Sequence, residues 1–174
     1  MEKLELIEPC VEFKSSYLEL ISEFEDAGKP LVPFLLQLPT DNFSGLIKML
    51  KECEEGIGIQ DGWVSHSTYW LVRNKSHIVG VSNLRHKLTP NLRREGGHIG
   101  YGIRPSDRRK GYATIILRET VKKAAKRGLK KVLVTCNKDN TGSVKTILNN
   151  GGQLDSEEFL EKEGWSVQRY WIST

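Results

Sequence analysis

A short basic turn joins a predicted strand to the strongest predicted helix of this chain. The stretch reads IGYGIRPSDRRKGYAT and covers residues 99–114. Downstream, apolar residues recur on one helical face from Ala113 to Ala124, which predicts an amphipathic helix. Gly128 stands where a glycine cap ends a helix, and residues 131–135 form a short apolar run typical of a buried strand. This region therefore predicts a strand–helix–strand crossover with parallel strands.

The turn itself has the properties of an anion-binding site. The first amides of a helix lack intrahelical acceptors, and the helix dipole adds about half a positive charge there. A pyrophosphate fits such a helix start, and Gly111 lets the backbone approach it closely. The other residues that we assign to this site are Arg108, Arg109, Lys110, Tyr112, Ala113 and Thr114. The alternative is a capped surface turn with solvated charges. The turn matches neither the P-loop nor the dinucleotide-binding glycine pattern.

The rest of the chain predicts a mixed α/β (α+β) domain. Periodicity and turn residues indicate a helix-rich N-terminal part, followed by a hairpin and then alternating strands and helices. The predicted helices cover residues 14–27, 42–55, 113–127 and 143–150, and the predicted strands cover 4–11, 68–73, 77–84, 98–103, 131–135, 153–159 and 165–172. Residues 89–97 read as a loop because they contain Pro90, Gly96 and Gly97. We see no linker, and so predict one domain over residues 1–174.

Two motifs in their structural order resemble those of a known family. Arg108, Gly111 and Ala113 match R-x-x-G-x-A between a strand and a helix. Further on, the stretch CNKDNTGSVKTILNNGG resembles an N-x-x-A helix, with Asn140 at the Asn position and Ser143 in place of the usual small residue. The sequence thus resembles the GNAT superfamily of acyl-CoA transferases over about residues 68–174.

This resemblance implies a fold, a co-substrate and a reaction. The fold would have a mostly antiparallel central sheet, helices on both faces and a splayed parallel strand pair that holds pantetheine. The main chain around Ile103 would pair with the pantetheine arm, and Asn140 and Ser143 would flank its thiol end. The reaction would transfer an acetyl group from acetyl-CoA to a primary amine of an unidentified small molecule or peptide, by direct attack in a ternary complex. The alternative is a non-catalytic acyl-CoA-binding sensor.

The group that moves the proton is open. Many GNAT enzymes carry a tyrosine acid on the helix after the family Asn, but Ile147 occupies that position here. The nearest candidates are Tyr101, His98 and Glu95. Alternation along the strand places Tyr101 and His98 on opposite faces, and we favour Tyr101 for the cleft. Each candidate also has a plain alternative, as core aromatic, structural histidine or solvated acid.

Composition excludes several other classes. The net charge of +4, without a reading motif or interleaved aromatic residues, argues against nucleic acid as a partner. No apolar run is long enough to span a bilayer, and the acidic start differs from a signal peptide, so we expect a cytoplasmic protein without a membrane partner. Cys10, Cys53 and Cys136 lie too far apart in sequence for a metal motif, and we expect no metal. The aromatic-rich last strand would allow a homodimer.

Overall fold

Two antiparallel sheets and five helices make up the fold in the computed structural model, which describes residues 2–174. The first sheet contains β1 (Leu4–Ile7), β2 (His66–Arg73), β3 (His77–Arg85) and β4 (Ile99–Ile103), in that order. The second contains β5 (Lys131–Asn137), β7 (Trp165–Ser173) and β6 (Gln153–Leu160), with β7 in the middle. The helices are α1 (Lys14–Asp26), α2 (Phe43–Glu54), α3 (Pro90–Arg94), α4 (Tyr112–Lys126) and α5 (Thr141–Asn149).

Helices cover both faces of the first sheet because β2 is apolar on both sides. Trp70 and Val72 pack with α1 and α2, whereas Tyr69 and Leu71 pack in the clusters that include α4. This alternation follows the two-residue repeat of a strand. The result is a helical layer on each side of the sheet, as the sequence predicted.

The two sheets meet where β4 begins. The amide of His98 donates to the carbonyl of Leu133 at 2.7 Å, and the amide of Leu133 donates to Nδ1 of His98 at 2.8 Å. Beyond this junction β4 and β5 form no ladder within residues 2–174. The two strands of the predicted crossover are therefore separated, and a cleft opens between them.

Two local predictions are corrected by the structure. Residues 89–97 are not all loop, because α3 forms there: the Thr89 hydroxyl accepts from the Leu92 amide, and Pro90 takes the first helical position. Both features favour a helix start, but the proline reads as a breaker when the cap is overlooked. The first strand ends at Ile7, and residues 11–13 form a 3₁₀ turn instead.

Candidate active site

The main cleft lies between β4 and the start of α5, in front of the N-terminus of α4. Its volume is about 540 Å³. Three of the groups of residues that line it are Tyr101, Gly102 and Ile103 from β4; Arg108, Arg109, Gly111, Tyr112, Ala113 and Thr114 from the turn and α4; and Asn140 and Ser143 from the start of α5. A fourth group, Phe24, Lys29, Pro30 and Val32, comes from α1 and the segment after it. Nearly all the residues predicted to bind the cofactor therefore line one cavity.

The start of α4 presents unpaired amides to this cleft. Gly111 is the N-cap with a φ of 83°, and no side chain caps the helix. Within residues 2–174 no acceptor contacts the amides of Gly111, Tyr112 or Ala113, whereas the Thr114 amide donates back to the Gly111 carbonyl. A Cβ added at Gly111 would meet no atom within 4 Å. These amides and the helix dipole form an accessible anion site.

The three basic side chains of the turn have different surroundings. The Nε of Arg108 donates to the Ile103 carbonyl at 3.2 Å, and its guanidinium lies over the ring of Phe24. Arg109 is exposed, with a positive φ of 61°. Lys110 is paired with Asp107 at 2.8 Å. Arg108 and Arg109 keep their charge free of carboxylate partners among the described residues, so the turn is net positive.

Asp107 is a buried residue that sequence reasoning missed. Its carboxylate contacts Arg73, His77 and Lys110, at 3.1, 2.7 and 2.8 Å. Burial acts to raise the pKa of Asp107, but hydrogen bonds from Lys110 and His77 and the charge of Arg73 outweigh it and hold the pKa below its usual value. The acid ties the turn to β2 and β3. A buried partner for the basic turn is a long-range contact that no local motif signals.

The strand β4 offers its main chain to the cleft. The Arg85 amide donates to the His98 carbonyl, and the Arg104 amide donates to the Val79 carbonyl. The main-chain N–H and C=O groups of the even-numbered residues along β4 therefore point toward β3. By alternation, the main-chain groups of Tyr101 and Ile103 point away from β3, toward the open side. The Ile103 carbonyl is already bonded to Arg108. Edge groups of this kind are available to an extended ligand.

Glycines in β4 allow the segment around Val32 and Pro33 to approach the strand closely. A Cβ at Gly102 would clash with the Val32 carbonyl oxygen, and one at Gly100 would contact Pro33 at 3.6 Å. The segment before the 3₁₀ turn Phe34–Gln37 therefore packs directly on β4. Glycines inside a strand indicate such backbone approach, and this signal was available from the sequence.

Tyr101 reaches across the cleft to α5. Its hydroxyl lies 2.8 Å from the Ser143 hydroxyl. Burial raises the pKa of Tyr101 to about 12, against the opposing effect of the Ser143 hydrogen bond. Burial also raises the pKa of the nearby Cys136 thiol to about 11. Both groups are therefore protonated at neutral pH, and the Tyr101 hydroxyl carries a proton that it can donate.

The other predicted site residues are placed differently. Asn140 lines the cleft, and its side-chain oxygen caps α5 by accepting from the Ser143 amide. His98 is buried at the β4–β5 junction, outside the cleft lining, and burial lowers its pKa to about 4. Glu95 is exposed and also lies outside the lining. Ile147 is fully buried in the core around α4 and β5.

Residues 2–174 contain neither a metal-binding cluster nor a membrane-spanning helix. This part of the chain has no group of three or more His, Cys, Asp or Glu side chains arranged to hold a metal ion. Across the same residues, every helix is too short or too polar to cross a membrane.

Comparison with known proteins identifies the family and the fold. The family model described as an acetyltransferase (GNAT) domain matches residues 37–153, which confirms the predicted resemblance. No curated protein sequence matches the chain. The prediction of one domain over residues 1–174 stays a prediction.

Solved structures of acetyltransferases share the fold at low sequence identity. MccE, the microcin C7 self-immunity acetyltransferase solved with acetyl-CoA and AMP, is 16% identical with a TM-score of 0.71, over 99% of this chain and 93% of MccE. RimL, the ribosomal L7/L12 alpha-N-protein acetyltransferase solved with coenzyme A, is 16% identical with a TM-score of 0.70, over 98% and 93%. The dodecameric spermidine N-acetyltransferase of Vibrio cholerae is 13% identical with a TM-score of 0.62, over 99% and 93%. The predicted mixed α+β fold is confirmed.

Proposed function

The chain belongs to the GNAT acetyltransferase family, and from that premise we propose that it transfers an acetyl group from acetyl-CoA to a primary amine. The observation that carries this proposal is the pairing of two features in one cleft. Unpaired amides at the start of α4 lie at one end, and the free main-chain edge of β4 lies along the wall. The first suits a pyrophosphate and the second an extended amide-bearing arm.

The residues of the cleft divide the binding of acetyl-CoA between them. The amides of Gly111, Tyr112 and Ala113, with the charges of Arg108 and Arg109, would hold the pyrophosphate. The main chain of Tyr101 and Ile103 would pair with the pantetheine arm. Asn140 and Ser143, at the start of α5, would flank the sulfur. Solved relatives with acetyl-CoA or coenzyme A in the same fold support this arrangement.

Direct attack requires a neutral amine, an oxyanion donor and a stabilised thiolate. A main-chain amide on the free edge of β4 would donate to the carbonyl oxygen as it becomes negative. The Tyr101 hydroxyl would donate a hydrogen bond to the leaving sulfur. Full proton transfer from Tyr101 is uphill, because its pKa is about 12 whereas an ordinary thiol has a pKa of about 8.5. Tyr101 therefore stabilises the thiolate. The N–C bond forms as the C–S bond breaks, the nitrogen loses its proton to solvent, and solvent protonates the thiolate.

The acceptor belongs to the class of amines, as in two of the relatives. One relative is named for spermidine and another for a protein α-amino group. The predicted catalytic roles of His98 and Glu95 stay predictions. The surroundings of Tyr101 support it as the residue nearest the chemistry, because it alone of the three lines the cleft.

Calorimetry and an amine screen test the proposal together. Titration of acetyl-CoA should show saturable binding with a Kd in about the micromolar range. Incubation with polyamines, amino acids and short peptides should release free thiol with at least one amine. Absence of acetyl-CoA binding would refute the proposal outright.

Burial of Ile147 favours one alternative, a non-catalytic acyl-CoA sensor. Ile147, at the helix position where the family resemblance implies a tyrosine acid, lies in the core and does not line the cleft. Binding of acetyl-CoA without thiol release across the whole amine screen would support the sensor. Turnover on any amine would exclude it.

A further inference from the structure

A groove lies between β1 and α4, at the edge of the first sheet. Its volume is about 390 Å³. Its apolar lining comes from Leu4 and Leu6 of β1, Leu71 of β2 and Ile115 of α4. It shares no lining residue with the main cleft, which lies in front of the N-terminus of α4. We call this separate feature the β1 groove.

The outward main-chain groups of β1 are unpaired. The Asn74 amide donates to the Lys3 carbonyl at 2.8 Å, so the odd-numbered residues along β1 point their main-chain groups toward β2. By alternation, the N–H and C=O groups of Leu4 and Leu6 point away from β2. Within residues 2–174 no hydrogen bond is made by these outward groups. They are available to one more strand.

The edge strand of the second sheet is protected against such pairing, whereas β1 is not. The strand β6 carries three acidic residues, Asp155, Glu157 and Glu158, and its ladder with β7 is interrupted by a bulge. Charges and bulges both hinder the pairing of a further strand. In β1 the only charged residue is Glu5, and its ladder with β2 is regular. The edge of β1 is therefore open to a partner.

The side of the groove that α4 forms is basic. It is lined by the cations Arg118, Lys122, Lys123 and Lys126. Glu119 pairs with the first two of these. The Nζ of Lys123 lies 5.1 Å from the centroid of the Tyr69 ring, and within residues 2–174 neither Lys123 nor Lys126 has a carboxylate partner. Unpaired cations beside apolar side chains favour a ligand that carries both carboxylates and apolar groups.

An added antiparallel strand would bring alternate side chains to these cations. Antiparallel pairing is the more stable kind, and residues that exchange hydrogen bonds across it lie opposite each other on the same face of the sheet. Leu4 and Leu6 pack on the face that α4 covers. The residues of the added strand opposite these two leucines would therefore also face α4, and carboxylates at those positions would meet its lysines.

We propose that the β1 groove docks an extended acidic segment of a partner protein, as an added antiparallel strand with carboxylates at every second residue. The main chain of Leu4 and Leu6 supplies the hydrogen bonds of the ladder. The charges of Lys123 and Lys126 select acidic segments over basic ones. This inference goes beyond the proposed acetyl transfer and does not depend on it.

The charge is tested by titration with the capped peptide acetyl-EVEVE-amide. At low ionic strength it should bind with a Kd below about 1 mM, and acetyl-KVKVK-amide should not bind. Lys126→Glu should weaken the acidic peptide at least about threefold, because an attraction becomes a repulsion. The matched variant Lys145→Glu makes the same change at an exposed lysine of α5 outside the groove, and should bind the peptide as the parent does. Thermal unfolding checks that both variants are folded.

The added strand is tested by methylating single nitrogens of the peptide main chain. The nitrogen of the central glutamate should donate to β1, so its methylation should weaken binding at least about tenfold. The next valine nitrogen points away from β1, and its methylation should change the Kd by less than about threefold. In ¹⁵N-labelled protein, the unmodified peptide should shift the amide resonances of Leu4 and Leu6 and leave that of Gly111 unmoved.

Three outcomes would overturn the inference. The first is equal peptide affinity of Lys126→Glu and Lys145→Glu. The second is that the peptide methylated at the central glutamate binds as tightly as the one methylated at the valine. The third is that tripolyphosphate binds as tightly as the peptide and loses as much affinity in Lys126→Glu, which would indicate a plain anion site. Acetyl-CoA binding in the main cleft is measured apart from all three, so the proposed function stands or fails separately.

Discussion

At the scale of single residues, Gly111 combines a positive φ with open space in front of it. Its φ of 83° suits glycine, and no atom lies within 4 Å of the place where a Cβ would stand, which leaves room for phosphate oxygens. Gly128 offers a close comparison at the other end of α4, with the same φ of 83° and the same open surroundings. A side chain would strain the backbone equally at the two positions. Gly111 precedes the N-terminus of α4, whereas Gly128 follows its C-terminus.

Gly111→Asp should weaken acetyl-CoA binding by at least about tenfold, or about 1.4 kcal/mol. The new carboxylate would enter the anion site and repel the pyrophosphate. Gly128→Asp should lose a similar stability, about 1–2 kcal/mol from the left-handed backbone, and keep its affinity for acetyl-CoA. Calorimetry on both variants checks this. Equal affinity of the two variants would contradict the role of the α4 N-terminus.

Tyr101→Phe should lower kcat by about 10- to 100-fold with little change in KM for acetyl-CoA, because one hydrogen bond to a charged sulfur is lost. Tyr170→Phe, on β7 and outside the cleft lining, removes another buried tyrosine hydroxyl as the control. Since burial raises the pKa of Tyr101 to about 12, its ionisation should not reduce the rate below about pH 10. An unchanged kcat in Tyr101→Phe would leave thiolate stabilisation to another group.

At the scale of elements, one of the hydrogen bonds at the junction of β4 and β5 is made by a neutral imidazole. Nδ1 of His98 accepts from the Leu133 amide, so protonation of this atom would break the bond. Burial, together with the charges of Arg93 and Arg85, lowers the pKa of His98 to about 4. The imidazole thus supplies an acceptor for a β5 amide, at a place where β4 and β5 form no strand ladder.

This junction should make stability fall in acid. The unfolded chain binds a proton on His98 near pH 6.5, but the folded chain does so only near pH 4. The stabilisation is therefore complete above pH 6.5 and is lost progressively as the pH falls toward 4. His98→Asn supplies an acceptor that does not titrate. Urea unfolding at the two ends of this range should show a pH-dependent loss smaller by about 2–3 kcal/mol than in the parent.

At the scale of the whole molecule, a buried ionic network joins the anion-binding turn to distant parts of the chain. Asp107 contacts Arg73 of β2 and His77 of β3. Arg104 donates to Nδ1 of the same histidine, and it pairs with Glu23 of α1 at 3.3 Å. The turn that presents the free amides is thereby held by both strands of the hairpin and by the N-terminal helix.

Asp107→Asn should destabilise the fold by about 3 kcal/mol, because it removes the charge of a buried carboxylate that pairs with Arg73 and Lys110 and bonds to His77. Since the pKa of Asp107 lies below its usual value, the stabilisation is present above that value and is lost as the pH falls. Glu157→Gln breaks an exposed pair with Lys138 and should cost less than about 1 kcal/mol. Urea unfolding at neutral pH measures both. Similar losses in the two variants would show that the network contributes little.

Most helices and strands were predictable from short sequence patterns, because neighbouring residues define them. The apolar face of α4 and the glycine that follows it are both set by a few neighbouring residues. The short helix α3 was missed because its proline was read without its cap. The partners of Lys110 and His98 were not predictable, because they belong to packing that no pattern within a single element encodes.

The amino-acid sequence by itself determined the strand, the turn and the helix that together form the anion site, since a helix start, a glycine and a basic turn act within a few residues of one another. Only the tertiary structure decided that Tyr101 meets Ser143, that His98 joins two sheets and that β1 and α4 line one groove. The first two contacts join residues 42 and 35 positions apart. The formation of all three depends on how the sheets and helices pack, which is a property of the whole folded chain.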